Sequence, residues 1–531
     1  MRSDESEKND LFALAALFVL ALAIRLIRLF DLDIWMDESG TLIQVQHSFA
    51  GIWNLCKLDN TPPLFSWIMK IGYSLFPDEN ALRLFSAFLG SLTPPAAFAL
   101  GKTMLDRRLA WALGIACVLS PALLYQHQII RSYSLFSLFS CLSVIGFIRG
   151  LQTNQWKYWI LTALANLLGF YTFLFMAFLI AAEVLLLLWF YRLSWQKYLR
   201  PCLAHVPVVL LMLVWAVFAM QRAREIRNDF LYGPLSQDDL VKLWVFFGTG
   251  VDFSNRYLLT FLLNLPFLLG VILCLLQMRK MICCQVGAVI LIVPIVAVAL
   301  ISLIGPSIFS KRYFIFLLPI YMGLALTGWL SLSSQRLRRL GITTLLLIVM
   351  GAAVFYFGNY FGEHGEYGFI KAYGGKPYNG HALSRMASLI RNRIQPDEVV
   401  LHFGDSMTRS FSFFPMIYYN KRSLREYLYS RDDIKPYFNG QYLQKGDQIR
   451  SLQDLDPLPA GIWMVSLSNT ELFFDDSTAL GRSVHLKWLN RENLPLQLKQ
   501  TGYNSSETFR LGGVTAIHYR RRMGLDLKAT G

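Results

Sequence analysis

Charged residues are scarce in this sequence of 531 residues. Only 16% are Asp, Glu, Lys or Arg, whereas 54% are hydrophobic, and an average soluble domain has about 25% charged residues. The scarcity excludes an ordinary soluble chain. The sequence also lacks internal repeats and low-complexity tracts.

Cysteine is sparse as well. The seven cysteines lie in or beside apolar segments and none follows Cys284, so neither a disulfide framework nor a zinc-ligand spacing is indicated. A Gly-rich phosphate loop between a strand and a helix pattern is missing, which argues against a nucleotide site. The net charge of +15 fits membrane anchoring, and we expect no nucleic-acid partner.

Apolar runs of about twenty residues dominate instead, the length that crosses a bilayer core of about 30 Å. They predict a polytopic α-helical membrane protein with about eleven transmembrane helices, the first of which is a retained span rather than a cleaved leader. Their boundaries are roughly 11–30, 81–101, 109–126, 133–149, 158–175, 176–192, 203–220, 257–277, 284–304, 313–332 and 340–359. Splitting the continuous stretch 158–192 into two keeps the basic loops on one side, which the positive-inside rule places in the cytoplasm.

The pattern changes after residue 360. Residues 381–394 have helical spacing, 399–403 and 461–467 look like strands, and 508–511 and 514–519 form a β-rich end. The sequence therefore predicts a transmembrane catalytic domain over 1–359 and a soluble α/β domain over 360–531.

Two adjacent carboxylates follow the first apolar run. Asp37 and Glu38 can act as a general base on a hydroxyl or hold a divalent cation. The alternative is a helix N-terminus, where acidic side chains meet the positive end of the helix dipole.

Cationic side chains recur on the same, outer face. Lys311, Arg312 and Tyr313 open the tenth span, and a Lys-Arg pair at a helix start is suited to a phosphate. Arg131 opens the fourth span and Arg83 the second. The alternative is cations that only anchor to lipid headgroups.

Other polar residues leave more than one interpretation open. Asp59 precedes a Pro-Pro turn and an interfacial helix at 64–76. His127 is interpreted as a hydrogen-bonded surface histidine, and Glu183 either bonds a neighbouring helix or lines a functional cavity. The arginine-rich loop 221–256 is either a lid over an anionic substrate or a solvated basic loop.

The order of these motifs is more specific than any one of them. The sequence resembles the integral-membrane glycosyltransferases of the C-type fold, most closely the protein O-mannosyltransferase and lipid A aminoarabinose transferase superfamily. The resemblance covers about residues 11–330 and is carried by Asp37-Glu38, Pro62-Pro63-Leu64, Ala81-Leu-Arg83-Leu-Phe-Ser86, Arg131-Ser-Tyr133-Ser-Leu and Lys311-Arg312-Tyr313 with Pro319.

That family transfers a sugar from a polyprenyl-phosphate carrier to an acceptor on the non-cytoplasmic face, with inversion at the anomeric carbon. The resemblance implies that Asp37 activates the acceptor beside Glu38, and that Lys311, Arg312 and Tyr313 hold the carrier phosphate. We assign Arg131 to the same phosphate. Asp59, Arg83 and Tyr133 complete the set as substrate-binding candidates.

The chain departs from the family pattern at two positions. Thr61 stands where a His often precedes Pro-Pro, and Ile129 stands where a second carboxylate is common. A metal bridge would need Asp59 or Glu38 instead, so no cofactor is assigned and a divalent cation at Asp37 and Glu38 stays an alternative.

The expected partners are a polyprenyl-phosphate sugar donor, membrane lipids and an acceptor that the sequence does not specify. The expected location is a bacterial inner membrane, with the active site and the C-terminal domain in the periplasm. A lipid-linked glycan polymerase or ligase, and a lipid or sugar transporter, are the alternatives. Polar residues cluster at one membrane surface rather than in mid-span, which favours an interfacial enzyme over a transporter.

Overall fold

The computed structural model describes residues 2–31, 33–34, 36–59, 61–192, 194–225, 234–251, 257–277, 281–359, 381–403, 406–430, 442–467, 494–511 and 514–521. The chain divides into two compact units. The helical unit contains Met1–Leu29 and Val45–Tyr360, and the α/β unit contains Phe30–Gln44 and Ile370–Gly531.

The helical unit consists of helices joined by short connections. They are α1 Arg2–Leu26, the last residue of α2 Met36–Val45, α3 Phe49–Asp59, α4 Leu64–Leu75, α5 Glu79–Gly90, α6 Thr93–Met104, α7 Arg107–Leu119, α8 Pro121–Gln128, α9 Tyr133–Thr153, α10 Trp156–Thr172, α11 Met176–Tyr191, α12 Leu199–Glu225, α13 Gln237–Phe247, α14 Tyr257–Leu276, α15 Ile282–Ile304, α16 Leu318–Leu330 and α17 Gln335–Asn359. Two 3₁₀ helices, Trp195–Tyr198 and Lys311–Leu317, precede α12 and α16.

Each of the eleven predicted spans corresponds to a helix or to two consecutive helices, as with α5 and α6 at 81–101 and α7 and α8 at 109–126. By length and composition alone, eight helices among the described residues are long and apolar enough to cross a membrane, or nine if α7 and α8, bent by 55° at Ser120, count as one span. The other two predicted spans correspond to α10 and α11, which are 17 and 16 residues long. The fold class is confirmed: the protein is a polytopic helical membrane protein with a C-terminal α/β unit.

The division of the continuous apolar stretch is also observed. Helix α10 ends at Thr172 and α11 begins at Met176. The Phe173 N–H still bonds the Gly169 carbonyl, but Phe173 itself is extended. The apolar run is therefore two helices, even though hydropathy gives no signal at the break.

The α/β unit has a six-stranded mixed sheet flanked by helices. Its elements are most of α2, then α18 Ala382–Arg391, β1 Glu398–His402, α19 Ser406–Tyr419, β2 Glu426–Tyr429, β3 Gln448–Ile449, β4 Gly461–Leu467, α20 Leu494–Gln500, β5 Tyr503–Leu511 and β6 Val514–Arg521. The strand order is β3-β2-β1-β4-β6-β5. Strands β1 to β4 pair in parallel, and β6 runs antiparallel to β4 and β5.

Both faces of this sheet are covered. Val400, Trp463 and Val465 pack with α18 on one face, and Val399, Leu401 and Ile462 pack with α20 on the other. Strands buried on both sides read as continuous apolar runs rather than alternating ones, which is why 399–403 and 461–467 stood out in the sequence.

The segment after the first span belongs to the α/β unit. Asp33 Oδ2 accepts hydrogen bonds from the backbone N–H groups of Leu383 and Ser384, at 2.6 and 3.3 Å, and so caps the start of α18. Tyr419 donates to Asp33 Oδ1 at 3.2 Å, and the Gln44 amide donates to the Tyr442 hydroxyl at 2.5 Å. Residues 30–44 are therefore fixed to the C-terminal fold at both ends.

Candidate functional site

An aromatic cluster in the helical unit brings two predicted site residues together. The Phe173 ring centroid lies 5.7 Å from that of Tyr133 and 5.3 Å from that of Tyr313. Tyr133 is the first residue of α9, and Tyr313 lies in the first turn of the 3₁₀ helix that precedes α16. The residues at the break between α10 and α11 thus join two segments that are about 180 residues apart in the chain.

Helix α9 and the Lys311–Leu317 helix continue side by side from this cluster. The rings of Phe136 and Phe316 lie 4.7 Å apart, and the Ser140 hydroxyl donates to the Phe316 carbonyl at 3.0 Å. Because both segments start at the cluster, Arg131, two residues before Tyr133, and the Lys311-Arg312 pair lie at the same end of this packed pair. The sequence-predicted cations therefore share one region of the helical unit.

The tenth span opens with a 3₁₀ turn rather than an α-helix. Pro319 sits in the first turn of α16, where its missing N–H costs least, and residues 311–317 take the tighter winding before it. The Arg312 guanidinium carbon lies 5.5 Å from the Tyr313 ring centroid. Lys311, Arg312 and Tyr313 are all partly exposed, so each can meet a ligand.

The segments that carry Arg83 and Arg131 are joined by one side-chain-to-backbone hydrogen bond. Arg83 is buried on α5, and Ser86, one turn later, donates to the Ile129 carbonyl at 2.7 Å. Residues 129–132 lead directly into α9. This bond fixes α5 against the segment that carries Arg131.

Asp59 lies in the same neighbourhood. Burial and then the Asp59 carboxylate raise the pKa of the Cys56 thiol to about 12, while hydrogen bonds with Ser66 and Thr61 and the charge of Arg131 act in the opposite direction. Asp59 Oδ2 also accepts from the Thr61 hydroxyl at 2.9 Å. Asp59 and Arg131 are therefore both within electrostatic range of one buried thiol.

The carboxylate pair lies in the first turn of α2. The described residues of this helix put Asp37 partly exposed and Glu38 fully buried. Both interpretations of the pair remain, since an acidic side chain at a helix start is also stabilised by the helix dipole. The difference in exposure makes Asp37 the side chain that a substrate can reach.

A protein-only metal site is not formed by the described residues. Nowhere in those ranges do three or more His, Cys, Asp or Glu side chains come together as ligands, whereas a divalent cation is usually held by several oxygen ligands. Asp37 and Glu38 do not by themselves make such a set.

The structure corrects the predicted location of His127 and favours one of the two interpretations of Glu183. His127 is not on the surface: it is fully buried, accepts a hydrogen bond from Arg25 Nε at 3.2 Å and contacts the Ser137 hydroxyl at 3.0 Å. Glu183 accepts from the Ser143 hydroxyl at 2.6 Å and the Asn166 amide at 2.7 Å. These bonds support its interpretation as a helix-to-helix contact.

The loop 221–256 is mostly structured where it is described. Helix α12 extends to Glu225 and carries half-buried Arg222 and exposed Arg224, whereas Arg227 lies outside the described residues. Sequence reasoning missed α13 and the buried turn 248–251 that follows it. The Ser236-Gln-Asp-Asp239 capping box was the available signal.

Comparisons with known proteins give a family match and structural matches. The profile of the dolichyl-phosphate-mannose-protein mannosyltransferase family matches residues 60–220. The crystal structure of ArnT from Cupriavidus metallidurans bound to undecaprenyl phosphate is 13% identical, with a TM-score of 0.59 over 95% of this chain and 97% of that chain. The crystal structure of the same ArnT in the apo state is 14% identical, with a TM-score of 0.57 over 95% of this chain and 97% of that chain. A search of curated protein sequences gives no match.

The protein therefore has the fold of the C-type integral-membrane glycosyltransferases. The likeness to the protein O-mannosyltransferase and lipid A aminoarabinose transferase superfamily, first indicated by the order of the motifs, is confirmed. The apo Archaeoglobus fulgidus oligosaccharyltransferase is more distant, at 10% identity and a TM-score of 0.47 over 87% of this chain and 70% of that one.

Proposed function

We propose that this protein is a glycosyltransferase that takes a sugar from a polyprenyl-phosphate donor and transfers it to a hydroxyl acceptor on the non-cytoplasmic face of the membrane. The family match over 60–220 and the fold shared with ArnT support a lipid-linked donor. The observation that carries the proposal is the aromatic cluster, because it gathers Arg131, Lys311 and Arg312 at one end of a packed helix pair.

The reaction is a single displacement at the anomeric carbon. Asp37 accepts the proton of the acceptor hydroxyl, whose oxygen forms the new glycosidic bond while the bond from the anomeric carbon to the phosphate oxygen breaks. The configuration inverts, and polyprenyl phosphate leaves with the electron pair. The transition state has oxocarbenium character, and negative charge grows on the leaving phosphate.

The cations act on the leaving group. Arg312 supplies a planar fork of donors and Lys311 a compact charge, and these two geometries together suit a phosphate monoester or diester. Arg131 adds a third positive charge in the same region. Positively charged donors aimed at the developing phosphate charge stabilise the transition state more than the ground state.

Glu38 is given a positioning role. Because it is fully buried in the first turn of α2, it does not meet substrate directly and instead acts through its neighbour Asp37.

The following experiment distinguishes the role of the base from the role of the phosphate-binding residues. Full-length wild type, Asp37→Asn and Arg312→Ala are purified in detergent and assayed for transfer from radiolabelled polyprenyl-phosphate sugar to a membrane extract, with donor affinity measured in parallel. Asp37→Asn should lower the transfer rate by about 10² to 10⁴-fold with the donor Kd kept. Arg312→Ala should weaken donor binding.

Two substitutions serve as matched controls. Asp31→Asn removes another carboxylate from the 30–44 segment, and Arg339→Ala removes an exposed arginine from the first turns of α17. Both should transfer normally. Normal transfer by Asp37→Asn and Arg312→Ala would refute the assignment of the site.

A further inference from the structure

A polar cluster in the helical unit joins three helices near their middles. Ser143, Asn166 and Glu183 lie on α9, α10 and α11, and their side chains contact one another. Ser143 and Asn166 are fully buried, and Glu183 is 2% exposed. Helix α9 is long and apolar enough to cross a membrane, so the cluster lies in a part of the protein where an ionised side chain is costly.

Each of the three side chains contacts the other two. Ser143 Oγ lies 2.6 Å from Glu183 Oε1 and 2.7 Å from Asn166 Oδ1. The Asn166 amide nitrogen lies 2.7 Å from Glu183 Oε2 and donates to it. These distances are those of hydrogen bonds, so each of the three contacts needs a hydrogen between its two atoms.

The available hydrogens do not suffice when Glu183 is ionised. A serine hydroxyl has one hydrogen, and neither an amide oxygen nor a carboxylate has any. The Ser143 hydrogen then serves one of its two contacts, and the other brings two oxygen atoms together without a hydrogen between them. A proton on Glu183 removes this conflict, because Glu183 then donates to Ser143 and Ser143 donates to Asn166. The bond between Ser143 and Glu183 thus runs from the acid to the hydroxyl, the reverse of the direction that an ionised Glu183 requires.

Turning the Asn166 amide over does not change this result. The amide nitrogen would then donate to Ser143, and Ser143 would donate to Glu183 Oε1. The amide oxygen, however, would face Glu183 Oε2 at 2.7 Å, and that contact again has a hydrogen only if Glu183 carries one. The need for a proton on Glu183 is therefore independent of the amide orientation.

His205 on α12 adjoins the cluster without supplying the missing hydrogen. Its Nδ1 lies 2.8 Å from the Pro201 carbonyl oxygen, which only accepts, so Nδ1 carries a hydrogen. Its Nε2 lies 3.4 Å from the Asn166 amide nitrogen and accepts the second amide hydrogen when the ring is neutral. A charged ring would put two donors face to face there and would leave the two contacts of Ser143 unchanged.

No cation among the described residues offsets a charge on Glu183. The elements packed against α11 include α9, α10, α15 and the 3₁₀ helix that precedes α12. Their charged side chains are those of Arg149, Lys157 and Lys197. Arg149 is six residues beyond Ser143, about 9 Å along the axis of α9. A carboxyl group in such surroundings takes up a proton, because burial of the charged form costs far more than burial of the neutral form.

We infer that Glu183 is a proton-binding site: at neutral pH it is an uncharged carboxylic acid that donates to Ser143, accepts from Asn166 and so joins α9, α10 and α11. The inference does not depend on the proposed function. An uncharged acid satisfies all three contacts, whereas a carboxylate would leave two oxygen atoms facing each other. Because a protonated carboxyl group neither accepts a proton readily nor attracts a cation, Glu183 is not a second candidate for the general base.

Infrared spectroscopy of the purified full chain distinguishes the two states of Glu183, because the carbonyl stretch of a protonated carboxyl group lies well above the bands of a carboxylate. Spectra are recorded at neutral pH in H₂O and in D₂O for wild type and Glu183→Gln. Their difference should contain one carboxylic-acid band, which shifts on deuteration, and no carboxylate band. Glutamine is the matched substitution because its amide also donates to Ser143 and accepts from Asn166.

Glu507→Gln is the control. Glu507 is exposed in the α/β unit and forms an ion pair with Arg393 at 3.2 Å, so it is a carboxylate at neutral pH. Its difference spectrum should show the loss of carboxylate bands and no carboxylic-acid band. Thermal unfolding establishes that each variant is folded.

Ser143→Ala keeps the test available should Glu183→Gln not fold. It removes the acceptor of the Glu183 hydroxyl, so the carboxylic-acid band should move to higher frequency. Ser140→Ala is its matched control on the same helix. The Ser140 hydroxyl bonds the carbonyls of Ser137 and Phe316 at 2.9 and 3.0 Å, so its removal should leave the band in place.

Two results would overturn the inference. A loss of carboxylate bands in Glu183→Gln, without a carboxylic-acid band, would mean that Glu183 is ionised in the folded protein. A carboxylic-acid band that stays in place in Ser143→Ala would mean that the acid does not donate to Ser143. Neither measurement involves polyprenyl phosphate, so failure of the proposed function would leave this inference unaffected.

Discussion

Arg25 and Asp33 are eight residues apart, yet each is fixed in a different unit of the molecule. Arg25 is fully buried in the helical unit, where its guanidinium donates to His127 and to the backbone carbonyls of Ala21 and Cys117. Asp33 is in the α/β unit and caps α18. The chain passes from one unit to the other between these two anchors.

The two proposed roles, phosphate binding and proton acceptance, fall to residues of different units. The cations that would hold the carrier phosphate belong to the helical unit, whereas the carboxylate that would act as the base belongs to the α/β unit. Substitutions that loosen the first unit should change donor affinity. Substitutions that loosen the 30–44 segment should change the transfer rate while leaving donor affinity unaffected.

The largest effect is expected for Phe173→Ala. Removing a buried phenylalanine costs about 3–5 kcal/mol, and here it also removes the ring between Tyr133 and Tyr313. Donor affinity should fall together with the melting temperature in detergent. Phe178→Ala, which removes a ring that contacts Phe175, should lower the melting temperature with a smaller change in donor affinity; equal losses would contradict the role of the cluster.

Arg25→Ala should be the next most damaging. It leaves the His127 ring and two backbone carbonyls without their donor, and hydrogen bonds from a charged group contribute about 1.5–3 kcal/mol. Thermal unfolding of the purified protein measures the loss, and Arg25→Lys should lie between Ala and wild type because it keeps the charge but not the fork of donors. A wild-type melting temperature for Arg25→Ala would show that the anchor is dispensable.

Asp33→Ala tests the other anchor. Loss of a helix cap typically costs about 1–2 kcal/mol, and the segment that carries Asp37 would lose its attachment to α18 and Tyr419. We expect a lower transfer rate with an unchanged donor Kd. Asp454→Ala is the control, because Asp454 caps a different turn of the α/β unit by accepting from the Arg450 and Ser451 N–H groups at 2.6 and 2.9 Å, and it should leave the rate unchanged.

Tyr442→Phe should have the smallest effect. It removes the hydrogen bond that Gln44 donates to the Tyr442 hydroxyl at the far end of the same segment, worth about 1 kcal/mol. A slight fall in transfer rate, measured beside Asp33→Ala, is expected. A larger loss than that of Asp33→Ala would place the main attachment of the segment at Gln44 rather than at Asp33.

Much of the secondary structure could be predicted from the sequence. The predicted run 461–467 coincides with β4, and the predicted run 399–403 is shifted by one residue from β1. Both could be predicted because strands buried on both faces must be apolar throughout. The predicted interfacial helix at 64–76 corresponds to α4. These features depend on local composition, which the sequence displays directly.

The contacts of single polar residues could not be predicted in the same way. His127 has no local feature that distinguishes a surface histidine from a buried one, and its partners Arg25 and Ser137 come from other helices. The break between α10 and α11 was predicted from the positions of basic loops, but its function as a bridge between Tyr133 and Tyr313 was not.

The sequence by itself determined that this is a polytopic membrane protein with an α/β end, since hydropathy, charge bias and motif order can be read from the order of the residues alone. Only the tertiary structure decided that residues 30–44 belong to the α/β unit, and that Arg131 and Lys311-Arg312 lie at one end of a packed pair. Such placements depend on contacts between residues tens to hundreds of positions apart, and no local pattern records which distant side chain will satisfy a buried polar group.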